Sequence, residues 1–367
     1  MLKKLTKKNK LKINYRFNPD FRSKLRCNYN CSYCFLNINK NKRMTSTKLH
    51  FELAKFIWDK LALLNDEISV KIQFDGEIFI DKWTTKIAYY INNIQNVKLL
   101  QIVTNNSINP KQYLHNLDTL KCVFNCSYHP EMVKIKKFIE HMHLLSDYGF
   151  RAWASLVCTP EIIRHLPKIY NIFKKNGIEL KLSGFTTRGS KYFGKRYPRD
   201  FSVSERKILK KFYDIKEIYE FVIEKKKTAG LMCNAGVDSL VLYLNGIVRR
   251  CNSESIGNNL KNKQNALNTI FKNFKKPFID PYLSINPRLR RLNPLTFNFH
   301  KKSESTIFDL LNGTIEMNRK PYPCHNLTCL CPPDLTQLEQ LRNKYDFMEN
   351  SLDIIDLNFV NKKYISI

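Results

Sequence analysis

The stretch Cys27-Asn28-Tyr29-Asn30-Cys31-Ser32-Tyr33-Cys34 decides how the rest of this chain is read. Its cysteines are separated by three residues and then by two, so one short loop can present three thiolates to three corners of an iron–sulfur cube. The fourth corner has no protein ligand from this loop. An iron with an open position can take a substrate or cofactor, which points to chemistry rather than to electron storage alone. Zinc is the first rival, but structural zinc sites usually pair two short clips into four protein ligands. The nearest downstream histidine here is His50, beyond a predicted helix start. A disulfide framework would require an oxidising compartment. Met1 to Lys12 is lysine-rich, and no apolar stretch of signal-peptide length follows it.

Outward from this loop the pattern alternates. A strand is expected from about Lys12 to Phe17, before the cysteines. After them, Thr45 to Leu64 has Leu49, Leu53, Phe56, Ile57 and Leu61 at helical spacing. Further strands are expected over Ile68 to Phe74, Val97 to Thr104, Leu120 to Ser127, Phe150 to Cys158 and Ile178 to Gly184. Helices are expected over Asp81 to Asn93, Pro110 to His115, Glu131 to Tyr148 and Glu161 to Lys175. One long amphipathic helix, capped by its first serine, is expected from Ser204 to Lys225. Alternation at this interval implies parallel strands joined by right-handed crossovers. The segment is too short for a complete eight-fold barrel of ~250 residues. The expected fold class is α/β, a partial (β/α)6 TIM-like barrel with a small cysteine-rich α+β C-terminal domain. The core is placed at residues 1–227, the second domain at 228–332 and a tail at 333–367. Leu260 to Lys302, rich in proline and basic residues, reads as an insertion or lid.

Composition bounds the function less tightly. The 367 residues are 43% hydrophobic, with 11 cysteines, enough for an ordinary core. No apolar run reaches the roughly 18 residues of a membrane span. Many cysteines without an export signal fit a reducing cytoplasm and metal ligation. The formal charge of +30 keeps nucleic acid open as a partner without favouring it. The lysines are spread along the whole chain, and abundant lysine, asparagine and isoleucine with scarce glycine is what a low-GC genome yields without selection for binding.

With these residues in view, the chain resembles the radical S-adenosylmethionine (radical SAM) enzymes. Cys27, Cys31, Tyr33 and Cys34 carry the resemblance first. Phe74-Asp75-Gly76-Glu77-Ile78 is similar to the family's Gly-Gly-Glu-Pro segment, with Asp75 and Ile78 as departures. That likeness implies that Gly76 and Glu77 meet the amino group of the cofactor's methionine part. Thr104-Asn105-Asn106 resembles a Thr-Asn-Gly at the end of the third strand. Asn125-Cys126-Ser127-Tyr128-His129 stands where the family places ribose contacts. Period-two alternation sets Asn125, Ser127 and His129 on one face and Cys122, Phe124 and Cys126 on the other. Tyr33, Asn105 and Ser127 are therefore cofactor-binding candidates, and His129 a substrate-side candidate. Cys122, Cys126 and Cys158 read as buried small residues.

The C-terminal part resembles the SPASM and Twitch extensions, which carry auxiliary iron–sulfur clusters. Cys233 precedes a predicted hairpin (Ser239 to Tyr243, turn at Asn245-Gly246, Ile247 to Arg250) that leads to Cys251. Cys324, Cys329 and Cys331 follow much later. These five cysteines are candidates for four ligand positions of one auxiliary cluster, with zinc as the alternative occupant.

The resemblance implies a [4Fe-4S] cluster on Cys27, Cys31 and Cys34 that binds S-adenosylmethionine and cleaves it reductively. The resulting 5′-deoxyadenosyl radical would abstract hydrogen from a substrate. The implied outcome is oxidation or crosslinking of a peptide or a small hydroxyl-bearing metabolite, with electrons from a donor such as flavodoxin or ferredoxin. The stretch before Cys27 is short for the leader-binding domain that many peptide-modifying relatives carry. Alternatives are an RNA-modifying enzyme of the same kind and a basic iron–sulfur or zinc protein without catalysis. Lys181 to Phe201 is expected to line or cover the pocket.

Overall fold

The computed structural model describes residues 10–17, 24–34, 43–44, 46–74, 76–185, 200–213, 215–228, 230–251, 254–255, 305–307, 311, 322–324 and 338–341. The chain divides into two compact units. The first comprises residues 1–27, 39–100 and 235–320, the second 28–38, 101–234 and 321–367. The expected insertion at Leu260 to Lys302 and the residues of the tail beyond 341 lie outside the described residues.

In the first unit β1 (Lys10–Arg16) leads through α1 (Lys48–Leu61) to β2 (Glu67–Ile72), then through α2 (Lys82–Asn92) to β3 (Val97–Thr104). β1 and β2 are parallel, with Ile13 opposite Val70. Parallel neighbours need a crossover, and α1 supplies it. Both helices start where the sequence provides a cap. Thr47 accepts from the His50 N–H while the His50 ring accepts from the Thr47 N–H, and Asp81 accepts from Trp83 N–H. Leu53, Ile57, Trp58 and Leu61 of α1 are fully buried, as are Ile13 and Tyr15 of β1. The Tyr15 ring meets Trp58 edge-on at 5.4 Å.

The predicted hairpin is present as β7 (Ser239–Tyr243) and β8 (Ile247–Cys251), antiparallel with Val241 opposite Arg249. Gly246 turns it at φ +85°, a left-handed backbone that glycine adopts without a Cβ penalty. β7 also runs parallel to β1, pairing Lys12 with Ser239 through Arg16 with Tyr243. The strand order in this unit is therefore β8-β7-β1-β2-β3.

The second unit takes the end of β3, then β4 (Cys122–Tyr128), α3 (Ile135–Asp147), β5 (Arg151–Cys158), α4 (Leu166–Lys175) and β6 (Leu180–Gly184). The order is β3-β4-β5-β6, with β4 parallel to β5 and β5 to β6. Tyr128, Phe138 and Phe173 form an aromatic trio at 5.1 to 5.8 Å between strand and helices. Together these elements make an α/β protein of mostly parallel strands. Among the described residues no helix is long and apolar enough to cross a membrane.

Two expectations are corrected. Pro110 to His115 holds two short 3-10 turns, Pro110–Gln112 and Leu114–Asn116. The single long helix from Ser204 to Lys225 is instead α5 (Val203–Lys210) and α6 (Lys216–Val222). Its cap is Ser202, which forms a capping box with Glu205. Ile215 breaks the run by entering an extended conformation and becoming buried. Arg206 then donates to the Ile223 carbonyl and Tyr219 OH donates to the Arg206 carbonyl, so α6 is held back against α5. One straight amphipathic helix could not bury both Leu209 and the Ile218, Phe221 and Val222 set in this way.

Gly184 closes β6 where α6 packs. A Cβ there would collide with Val222 Cγ1 and press on Ile223. Gly184→Ala should destabilise the protein by about 1–3 kcal/mol. Adding Val222→Ala should recover part of the loss. Denaturant unfolding of the single and double variants checks this.

Candidate functional site

Of the cysteine loop, Cys27 belongs to the first unit and Asn28 to Cys34 belong to the second. In the first unit, Glu77 lies just beyond β2 and is almost completely buried. Its N–H donates to the carbonyl of Arg26, the residue before Cys27, at 3.2 Å. Its carboxylate accepts from the Phe79 N–H and caps the short turn Ile78–Ile80. Gly76 is half-buried, and its N–H donates to the Phe74 carbonyl. Asp75 lies outside the described residues.

In the second unit, Cys31 and Cys34 share one tight turn, with Cys34 N–H donating to the Cys31 carbonyl at 3.2 Å. Cys31 and Tyr33 are buried and pack with Phe185, Tyr29, Met132 and Val157. The loop is braced from the segment after β4. Glu131 accepts from Ser32 twice, from its N–H at 2.8 Å and its hydroxyl at 2.6 Å. Tyr33 OH meets His129 Nδ1 at 2.7 Å, with the two rings nearly parallel at 5.9 Å. Tyr29 packs edge-on against the same imidazole. Burial pushes His129 down to about 4, with Glu131 pulling weakly the other way. The imidazole is then neutral at neutral pH, with one ring nitrogen a donor and the other an acceptor.

His129 thus holds the loop in place, as does Glu131. Sequence reasoning singled out His129 for another role and missed Glu131 altogether. No spacing rule connects residue 131 with residue 32, and only the return of the chain at the end of β4 brings them together.

Asn105, at the end of β3, donates to Asn28 Oδ1 at 3.0 Å and accepts from Ser107 N–H. It ties the β3 end to the cysteine loop. Ser127 lies opposite Ser155 on β5, their hydroxyls 3.4 Å apart. Cys122, Cys126 and Cys158 are fully buried, and burial pushes the Cys122 thiol up to about 12. These are packing residues, as their sequence context suggested.

Cys233 and Cys324 come from distant parts of the sequence to adjoining strands of one small sheet. Tyr322 pairs with Cys233, and Cys324 N–H donates to the Leu231 carbonyl at 2.8 Å. The Cys324 thiol lies 3.8 Å from Thr228 Oγ1. Cys251, in the first unit, ends β8 and is buried. Cys329 and Cys331, and the residues 186–199 of the expected pocket cover, lie outside the described residues.

The donors suit a thiolate-bound iron–sulfur group. Cys27, Cys31 and Cys34 carry thiols rather than disulfides, and the turn with the latter two is braced from outside the loop. Among the described residues no three His, Cys, Asp or Glu side chains converge on a single metal ion. A cube does not require that, since each thiolate binds a different iron.

No protein-family model matches the chain, and no curated protein matches it. Among solved structures it is similar to native anSMEcpe with bound AdoMet, at 17% identity and TM-score 0.46, over 65% of this chain and 74% of that one. The complex of native anSMEcpe with AdoMet and the Cp18Cys peptide matches at 15% identity and TM-score 0.47, over 91% and 97%. BtrN in complex with AdoMet and 2-DOIA matches at 14% identity and TM-score 0.34, over 78% and 91%.

Two outcomes test the bracing. Glu131→Ala leaves Ser32 without its charged acceptor, and because both bonds are exposed the loss should be about 1 kcal/mol. Amide exchange across residues 29–34 should quicken several-fold, which hydrogen-exchange mass spectrometry would read. For His129, the unfolded chain binds more protons than the folded one between 6.5 and about 4, so stability falls as pH drops through that window. From about pH 7 to about pH 5 the loss attributable to His129 should be on the order of 1–2 kcal/mol. A His129→Gln variant should show a correspondingly flatter pH dependence in urea unfolding.

Proposed function

We propose that this chain is a radical SAM enzyme, a partial (β/α)6 TIM-like barrel at residues 1–227 followed by a SPASM/Twitch-like region at 228–332. The observation that carries the proposal is the braced turn holding Cys31 and Cys34. A catalytic cluster needs ligands that keep their positions while one iron stays open, and Glu131 and His129 provide that restraint. Cys27, Cys31 and Cys34 would hold the [4Fe-4S] group. When bound, that group and S-adenosylmethionine supply one-electron cleavage of a carbon–sulfur bond and, with it, hydrogen abstraction from substrate.

The chain's own residues bind, orient and exclude. Gly76 and Glu77, anchored to Arg26 beside the first cysteine, would meet the cofactor's amino group. Tyr33, Asn105 and Ser127 would line the remainder of its site. Tyr33 and Phe185 bury one side of the loop in apolar surroundings, which limits water near the open iron. Cys233, Cys251 and Cys324, with Cys329 and Cys331, are the ligand candidates for one auxiliary cluster. The pairing of the Cys233 strand with the one leading to Cys324 supports a shared role for those two. A second cluster able to take an electron from the substrate favours net oxidation or crosslinking of a peptide or a hydroxyl-bearing metabolite, with flavodoxin or ferredoxin as donor. Location in the cytoplasm is part of the same proposal.

The test is anaerobic reconstitution followed by dithionite and S-adenosylmethionine. The wild-type chain should bind iron and sulfide, about eight of each for two four-iron cubes, and release 5′-deoxyadenosine. Cys31→Ala should abolish release and lower iron by about half on the same assumption. Zinc without iron in the wild type, or full activity in the variant, would refute the proposal.

A further inference from the structure

The second unit contains a cavity of about 240 Å³ lined by Asn28, Tyr29, Asn106, Ser107, Met132, Val133, Lys134, Lys137 and His141. None of the candidate cofactor residues Tyr33, Gly76, Glu77, Asn105 or Ser127 is in that lining. Asn106 is its most informative member. The residue is only 2% exposed, yet neither its Oδ1 nor its Nδ2 has a hydrogen-bond partner among the described residues. Burying an amide without a partner costs roughly 1–3 kcal/mol. Asn106 sits at φ +53°, its N–H donates to Thr104 Oγ1 at 3.0 Å, and its carbonyl accepts from His141 Nδ1 at 2.7 Å. Both main-chain groups are held, and Asn106 is one of the residues that line the cavity.

The rest of the lining combines two lysines, Lys134 and Lys137, with neutral polar groups and the side chains of Tyr29, Met132 and Val133. Lys134 is the N-cap residue of α3 and makes no side-chain cap bond, and the first turn of this 13-residue helix has no acidic residue. An uncapped N-terminus carries partial positive charge and N–H donors suited to an anion. Lys134 and Lys137 add two full charges, while Ser107 and Asn28 add polar groups. No Asp or Glu lines the space. Cations, a helix N-terminus and a buried amide converge on one class of ligand.

We propose that this cavity is a binding site for a small oxyanion, a phosphate or carboxylate group that pairs with the Asn106 amide, Lys134, Lys137 and the start of α3. It lies against Asn28 and Tyr29 of the cysteine loop, so occupancy also stiffens the loop. The proposal does not depend on which group the cysteines hold.

The experiment is calorimetric titration of the full chain with inorganic phosphate and, separately, acetate, each against chloride at matched ionic strength. Saturable binding of either anion at one site is expected, and which one binds identifies the oxyanion. The lysines are exposed, so Lys134→Ala/Lys137→Ala should fold normally and weaken binding at least tenfold, about 1.4 kcal/mol. Asn106→Gly, which keeps the left-handed backbone, should weaken it as well. Lys82→Ala/Lys86→Ala, two exposed lysines on α2, should leave it unchanged. Saturation with neither anion, or equal weakening in the α2 control, would overturn the site, the latter by showing only the general attraction of a +30 chain.

Discussion

Two oxygens of one carboxylate hold the cysteine turn to the end of a strand. Glu131 accepts from both the N–H and the hydroxyl of Ser32, and the neighbouring Tyr33 hydroxyl is fixed on His129. A loop of this length, rich in asparagine and serine, has many backbone conformations of similar energy. Hydrogen bonds to a charged acceptor are among the stronger restraints available to it. The arrangement of Cys31 and Cys34 therefore depends on residues nearly a hundred positions away, and everything proposed for these thiols depends on that restraint.

The parallel strands explain why such distant residues meet. In each unit the loops that follow the strands carry the polar side chains, while the strands and helix faces carry the core. Asn105 closes β3 and reaches Asn28, and His129 and Glu131 follow β4 and reach Tyr33 and Ser32. In the first unit Glu77 closes β2 and its backbone reaches Arg26. Loops placed by a rigid sheet are where binding groups gather in α/β proteins.

Asn106 shows a different use of a strand end. The left-handed backbone needed there is one that glycine adopts freely and asparagine tolerates. Asparagine keeps the turn and adds an amide, while its main-chain N–H and carbonyl are taken by Thr104 and His141. The high positive charge of the chain, uninformative as a total, acquires local meaning where Lys134 and Lys137 border that amide.

Much of the architecture was legible in the residues. Alternating apolar runs marked β1 to β6, and apolar residues at helical spacing marked α1, because burial patterns of this kind are local properties. The Asn245-Gly246 turn announced the β7–β8 hairpin for the same reason. The break between α5 and α6 was not legible, since helical spacing continues through it and only the packing of α6 against α5 makes the turn favourable. Nor did spacing reveal that β7 would pair with β1, that Tyr322 would lie opposite Cys233, or that Glu131 would brace Ser32. The sequence by itself determined the thiol donors, their spacing and the order of strands and helices. Only the tertiary structure decided which distant side chains restrain them and which amide is left without a partner, because those outcomes depend on sheet pairing and not on any local pattern.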